Sequence, residues 1–416
     1  MKKESLLKYI RDKKVIVFGT GERGNRFYEK YKDTIDIVYA TSNLDNKTIG
    51  NLERIEWKNI TGEDKYLLVI CSVAENDIAY QLMLYGLVYG KDFITQNVVE
   101  VLLDGKKLVL FVGQCELEIV NDILNGISEF KDKYVGICYR EYDVLGIGER
   151  TPKLQISLMV NFVIGLADYY VYPANLSKER LEYYEMLLGK TAPYCKTCSV
   201  PLTTFEAYWP QDSKNYYEMP PLYKRDSSGA LPFGRRRDNN LELAVYDGTV
   251  QKTIDEILKD DFYTDDTINK LFSKTIRKYK VLEKKSDIKI SDFLEENYRK
   301  RRVFLDRGHA CDFILKEYAK RIVTYLDINI DVGLIGKIDL ETYNQCHSEQ
   351  PIYVSVKKHL EFQENTQYRF WMNGKMQYAA AEVYFNILCN YMGKVKALDM
   401  VGVKEGNEKE NNMFSE

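Results

Sequence analysis

Short apolar runs alternate with amphipathic segments along most of this 416-residue chain. KVIVFGTG (14–21) ends in glycines and predicts a strand followed by a tight turn. ERGNRFYEKYKD has helical character, and DIVYAT (36–41) predicts a second strand. KYLLVICS (65–72) predicts a buried strand, with a helix through AENDIAYQLMLYGL and a short KDFIT after it. The pattern then restarts. LVLFVG (108–113) predicts a strand, ELEIVNDILNGISEF a helix and YVGICY (134–139) another strand. Alternation at this spacing predicts parallel α/β sheets.

Further units follow in LQISLMVNFVIGLA with DYYVYP, and in SKERLEYYEMLLGK leading to SVPLTTFEAYWP. The proline-bearing stretch 209–240, with its GRRRDNN, predicts a loop or lid. Two charged helices are expected over 250–260 and 264–284. RVFLDRG (302–308) then predicts a strand, and ACDFILKEYAKRIVTYLDI a long amphipathic helix. The LLDGKK turn at 103–107 is the natural boundary between two α/β domains, 1–105 and 106–402, with a polar tail at 403–416.

Composition narrows the class. The chain is 45% hydrophobic and 29% charged, an ordinary globular balance, and its formal charge of −3 suggests no nucleic-acid partner. The charged start MKKESLLKYIRDKK lacks the apolar centre of a secretory signal. The run ISLMVNFVIGLA (156–167) is interrupted by Asn161 and is too short to span a bilayer. Eight scattered cysteines fit a reducing compartment. The expectation is a cytoplasmic protein that is not integral to a membrane; nothing in the pattern indicates its oligomeric state.

Three motifs carry candidate chemistry. Gly19-Thr20-Gly21-Glu22-Arg23-Gly24 matches G-x-G-x-x-G between a predicted strand and helix, where glycines permit close approach of a phosphate. A nicotinamide site wants an acidic residue at the end of the second strand; Thr41-Ser42-Asn43 stands there, with Asp45 two residues late. The glycines therefore serve either a bound nucleotide or only the turn and helix packing, and hydride chemistry is the weaker choice.

Gly113-Gln114-Cys115 stands where a strand turns into a helix. A thiol there feels the helix dipole, which favours thiolate, and the adjacent amides with Gln114 can hold an oxyanion. Gly113 allows a substrate close to the backbone. The alternative is a cysteine that fills a core. A base is needed too, and the three histidines are His309, His347 and His359. His309 also lies at a strand-to-helix junction, placed at the same sheet edge as Cys115, and Asp306 precedes it by three. That spacing lets a carboxylate orient the imidazole while its other nitrogen faces the nucleophile. His347 and His359 are read as structural.

Arg235-Arg236-Arg237 offers guanidinium groups to CoA-type phosphates or is a solvated basic run. Cys195 and Cys198 have CxxC spacing without a second pair, so no metal site is expected. Paired tyrosines such as Tyr183-Tyr184 can stack on sugars but more commonly cover ordinary surface.

On these residues, the region from about 107 to 395 resembles the polysaccharide-biosynthesis acetyltransferases of the WcbI type, which relate to SGNH hydrolases. The family's Gly-Asn-Cys-Gln signature stands here as Gly113-Gln114-Cys115-Glu116, and its later strand–His–helix signature as Gly308-His309-Ala310. Asp306 matches the aspartate that SGNH enzymes place three residues before that histidine. ADYYVYP, VPLTTFEAYWPQ, KKSDIKISDFLEENY and PIYVSVKKHL resemble the family's middle and end. The N-terminal domain resembles Rossmann-like modules appended to glycan-synthesis enzymes. The resemblance implies a Rossmann-like parallel sheet followed by a larger SGNH- or flavodoxin-like three-layer α/β/α domain. It also implies acetyl-CoA as donor and a sugar hydroxyl of a capsule or surface-glycan precursor as acceptor. Two routes fit: Cys115 takes the acetyl group and His309, oriented by Asp306, activates the sugar; or His309 activates the sugar directly against bound acetyl-CoA. The first is the preferred expectation. A glycan esterase, a nucleotide-sugar or nicotinamide protein working through the glycine loop, and a non-catalytic glycan-binding protein are the alternatives.

Overall fold

A computed structural model describes residues 3–42, 48–59, 63–145, 154–174, 177–201, 204–212, 238–340, 348–362, 367–372 and 375–393. The mixed α/β class is as expected, with two parallel sheets. The first contains β1 (Lys14–Phe18), β2 (Asp36–Thr41), β3 (Glu53–Arg54), β4 (Tyr66–Ile70) and β5 (Phe93–Thr95), in the order β3-β2-β1-β4-β5. All its pairings are parallel, and the order is that of a Rossmann sheet.

The second sheet contains β6 (Lys107–Gly113), β7 (Tyr134–Arg140), β8 (Tyr169–Pro173) and β9 (Lys196–Val200), ordered β7-β6-β8-β9 and again parallel. That is the opening order of flavodoxin-like sheets. β6 is the central strand because its run is apolar at every position from Leu108 to Val112, all fully buried. Such a strand has no solvated face to offer and must be covered on both sides. Leu108, Leu110 and Val112 join a core shared with Val15, Val17 and Val69 of the first sheet, whereas Val109 and Phe111 face the other way. Burial of each such side chain contributes about 2 kcal/mol.

The chain forms two compact units. One comprises Met1–Pro201, Lys285–Ile288 and Lys316–Ile338, and so holds both sheets; the other comprises Leu202–Lys284, Lys289–Leu315 and Asp339–Glu416. Within the first, Gly90 (φ +82°) lies directly against Phe162, and Tyr89 meets Phe162 edge-on at 5.3 Å.

The second unit has an aromatic core. Phe205 stacks on Phe304 at 5.4 Å and packs edge-on against Tyr208, which in turn meets Phe272. Tyr208 donates to the Tyr298 carbonyl and Trp209 to the Pro351 carbonyl, so these large rings are buried with their polar tips satisfied. Helices at Val250–Ile257 and Asp265–Leu282 correspond to the two expected charged helices. The predicted strand at 302–308 is reduced to β10 (Phe304–Asp306), paired antiparallel with β11 (His309–Ala310).

Candidate active site

β6 stops at Gly113, and the helix Cys115–Gly126 begins with Gln114 as its N-cap in extended conformation (φ −84°, ψ −177°). The chain runs from β6 to β7 on one side and then from β7 across to β8 on the other, so the strand order reverses at β6, the position at which ligands gather in open α/β sheets. A Cβ at Gly113 would come 2.6 Å from Leu117 Cδ1, so the glycine makes room for the helix's first turn. The Gln114 side chain makes no capping hydrogen bond.

Cys115 is half-buried, and its thiol donates to Glu116 Oε2 at 3.6 Å. Burial pushes the thiol pKa well above its usual value, and the carboxylates of Glu116 and Glu118 push the same way. The expectation from sequence was that the helix terminus favours thiolate. Desolvation and two acidic side chains in the first turn outweigh it here. Glu118 is itself gripped by Arg140, whose Nε and Nη2 donate to its two oxygens at 2.7 and 2.6 Å.

The second candidate centre is built by a two-residue turn. β10 and β11 pair antiparallel through Arg307 and Gly308, with Asp306 opposite His309. The sequence placed His309 on the same sheet edge as Cys115. Among the described residues, however, β10 pairs with β11 and with no strand of the parallel sheets. Asp306 Oδ1 accepts from the backbone amides of Gly308 at 2.7 Å and His309 at 2.9 Å. Its Oδ2 lies 2.7 Å from His309 Nδ1. The carboxylate is thus fixed by the turn it closes, and it holds the proton on Nδ1, which makes Nε2 the basic nitrogen. Asp306 is buried, while about a third of the imidazole surface, 33%, is exposed. The Gln350 amide donates to the Leu305 carbonyl at 2.9 Å and the Phe205 amide to the Arg307 carbonyl at 2.8 Å, so neighbouring chain clamps the hairpin.

Asp306 and His309 are therefore brought together in the second unit, and Cys115 lies in the first. Arg235, Arg236 and Arg237 lie outside the described residues, as do His347, Asn43 and Asp45. His359 pairs with Asp265 Oδ1 at 3.2 Å on the surface of the second unit. Cys195 and Cys198 are free thiols, and among the described residues no group of His, Cys, Asp or Glu is arranged to hold a metal. No helix among the described residues is long and apolar enough to cross a membrane.

The glycine loop is explained differently at each position. Gly19 (φ +116°) lies where a Cβ would meet the Cys71 carbonyl at 2.6 Å, and a Cβ at Gly24 would strike the Gly19 carbonyl at 1.8 Å. A Cβ at Gly21 meets nothing within 4 Å. Two of the three glycines thus serve the turn and the packing of the helix, and the third leaves the N-terminus open.

Residues that no motif announced surround the hairpin. Gln350 Nε2 donates to Asp212 Oδ1 at 2.9 Å, and Asp238 accepts from the Tyr353 hydroxyl at 2.7 Å. Burial raises Asp212 to about 8 and Asp238 to about 7. These are single polar residues far apart in sequence, and only the folded chain collects them.

Residues 181–330 match the sequence profile of the family described as polysaccharide biosynthesis enzyme WcbI. This segment is WcbI-like. A solved structure of WcbI, described as a novel polysaccharide biosynthesis enzyme in a native form without a disulfide bond between CoA and one of its cysteines, superposes with a TM-score of 0.53. That match covers 70% of this chain and 93% of that chain at 19% identity, a likeness of fold. No curated protein matches the chain. The WcbI profile includes Asp306 and His309 and begins well after Cys115.

Proposed function

We propose that the protein transfers an acetyl group from acetyl-CoA to a sugar hydroxyl of a polysaccharide precursor, with His309 as general base. The observation that carries this reading is the Asp306–His309 pair, a buried carboxylate fixed by two backbone amides and seated on one nitrogen of a partly exposed imidazole. Such a pair takes a proton at Nε2 and stabilises the imidazolium that results. The match to a polysaccharide-biosynthesis family supports a sugar substrate, and the CoA named for the solved WcbI supports a CoA thioester as donor.

In the direct route, Nε2 accepts the proton of the sugar hydroxyl as its oxygen attacks the thioester carbonyl. The tetrahedral intermediate collapses, the C–S bond breaks, and the leaving CoA sulfur takes the proton back from imidazolium. No step needs an oxidant or a metal. The covalent route, with Cys115 as nucleophile, retains support from its seat at the carboxyl end of β6. It requires thiolate, however, and burial with Glu116 opposes that charge. The direct route is therefore our conclusion. The Arg235–Arg237 cluster is our candidate for the CoA phosphates, and the Gly19–Gly24 loop serves the N-terminal turn, with a nucleotide or nucleotide-sugar as candidate ligand.

Release of free CoA thiol from acetyl-CoA tests the reading. Release that depends on added glycoside and disappears in His309→Ala supports it. Equal release with and without glycoside would instead assign an esterase-like hydrolysis.

A further inference from the structure

The buried polar groups beside the hairpin are unevenly satisfied. Gln211 is only 2% exposed, yet neither its Oε1 nor its Nε2 has a hydrogen-bond partner among the described residues. Its backbone carbonyl accepts from Asn239, which sets it next to Asp238. Gln350, 4% exposed, spends Nε2 on Asp212 and leaves Oε1 without a partner among the described residues. Its backbone amide is tied to Leu305, the residue before Asp306. Buried amides are nearly always paired, because an unmade hydrogen bond retains the full desolvation penalty. Three unpaired amide atoms in one neighbourhood therefore point to a ligand that pairs them.

The chemistry narrows the ligand. Beyond its burial, Asp212 feels the carboxyl groups of Asp238 and Asp306, both of which oppose its ionisation. Arg307, the cation that Asp212 feels, is paired with Glu206 at 2.9 Å, so these groups hold no spare positive charge for a carboxylate or phosphate ligand. A cation is also disfavoured, since Asp238 is already occupied by Tyr353 and by the amides of Asn240 and Leu241 that it caps. Asp212, held near 8, is uncharged at neutral pH and offers a proton as well as an acceptor. Amides and a neutral carboxyl form a mixed donor–acceptor array, the complement of vicinal hydroxyl groups.

We propose that Gln211, Asp212 and Gln350 form a subsite for the hydroxyl groups of a neutral pyranose ring, beside the Asp306–His309 pair. The assignment rests on the reading that His309 serves a sugar hydroxyl, and it names the residues that hold that sugar. All of them lie in one compact unit with the hairpin. They bind and orient the ring and leave the proton transfer to His309.

Saturation-transfer NMR on the full chain tests the subsite without any CoA donor. The probes are the methyl glycosides of glucose, galactose, mannose and N-acetylglucosamine. At least one is expected to bind the wild-type chain, and Gln211→Met and Gln350→Met are each expected to weaken that binding tenfold or more. Gln211→Met should melt no lower than wild type, because it removes an unpaired buried amide; this separates lost binding from lost folding. Binding of none of the four, or binding unchanged in the folded variants, would overturn the subsite and leave trapped water as the occupant. Free-CoA release is measured in parallel. Glycoside binding that depends on Gln211 without any acetyl-CoA turnover would sink the transfer reading and keep the subsite. Turnover on glycoside that ignores both substitutions would do the reverse.

Discussion

Cys115 and His309 each stand where a strand gives way to a helix, and each has a carboxylate at its side. The same neighbour has opposite consequences. Beside Cys115, Glu116 opposes the charge that a thiol must acquire to attack. Beside His309, Asp306 favours the charge that an imidazole acquires when it takes a proton. The geometry differs in kind as well. Glu116 is the residue next along the helix, whereas Asp306 is locked by the Gly308 and His309 amides before it meets the ring. A strand end is therefore an invitation to chemistry, and the electrostatics of its first turn decide which chemistry it can carry.

The comparison predicts a ranking of substitutions. His309→Ala should have the largest effect, lowering kcat for glycoside-dependent CoA release by about 10²–10⁴-fold, the usual worth of a general base. Its melting temperature should change little, since the ring is partly exposed. Asp306→Asn keeps the size of the side chain but weakens the hold on Nδ1. It should lower kcat by about 10–100-fold with KM for acetyl-CoA unchanged, by analogy with groups that orient a functional histidine. An equal loss in KM alone would make Asp306 a packing residue and erase the contrast with Glu116.

The smallest effect sharpens the other half of the comparison. Glu116→Gln removes a carboxylate that raises the Cys115 pKa, so the thiol should ionise at lower pH. At a fixed pH below its midpoint, alkylation by iodoacetamide at Cys115 should then be several-fold faster. The midpoint of the alkylation profile should move down, not up. An unmoved profile would leave burial and Glu118 as the causes of the raised thiol.

Much of this contrast was legible in the chain. The uninterrupted apolar run of β6 and the glycine-terminated run of β1 announced two parallel sheets. Glu116 and Glu118 stand in the helix's first turn, where they are good for a helix and poor for a thiolate, but the expectation at Cys115 weighed only the helix terminus. The Asp306-x-x-His309 spacing gave the pair that the structure joins at 2.7 Å. The setting of that pair was not legible. A run such as RVFLDRG reads as a sheet strand, yet Asp306 turns the chain back after a three-residue strand through its own side chain. Nor could pattern reveal Gln211, Asp212 and Gln350, which are polar residues buried by tertiary packing and separated by up to 139 positions. Periodicity predicts which faces are apolar; it carries no signal for an isolated buried amide.

The most direct test of the central claim, that His309 with Asp306 and not Cys115 carries the transfer, is rapid-quench intact-protein mass spectrometry during turnover of acetyl-CoA with glycoside, run on wild type and on Cys115→Ala. The account predicts no acetyl adduct at Cys115 and a Cys115→Ala rate within about tenfold of wild type, a substitution effect far below that of removing the base. An adduct at Cys115 that forms and decays at the turnover rate, with turnover abolished in Cys115→Ala, would contradict it and establish the covalent route.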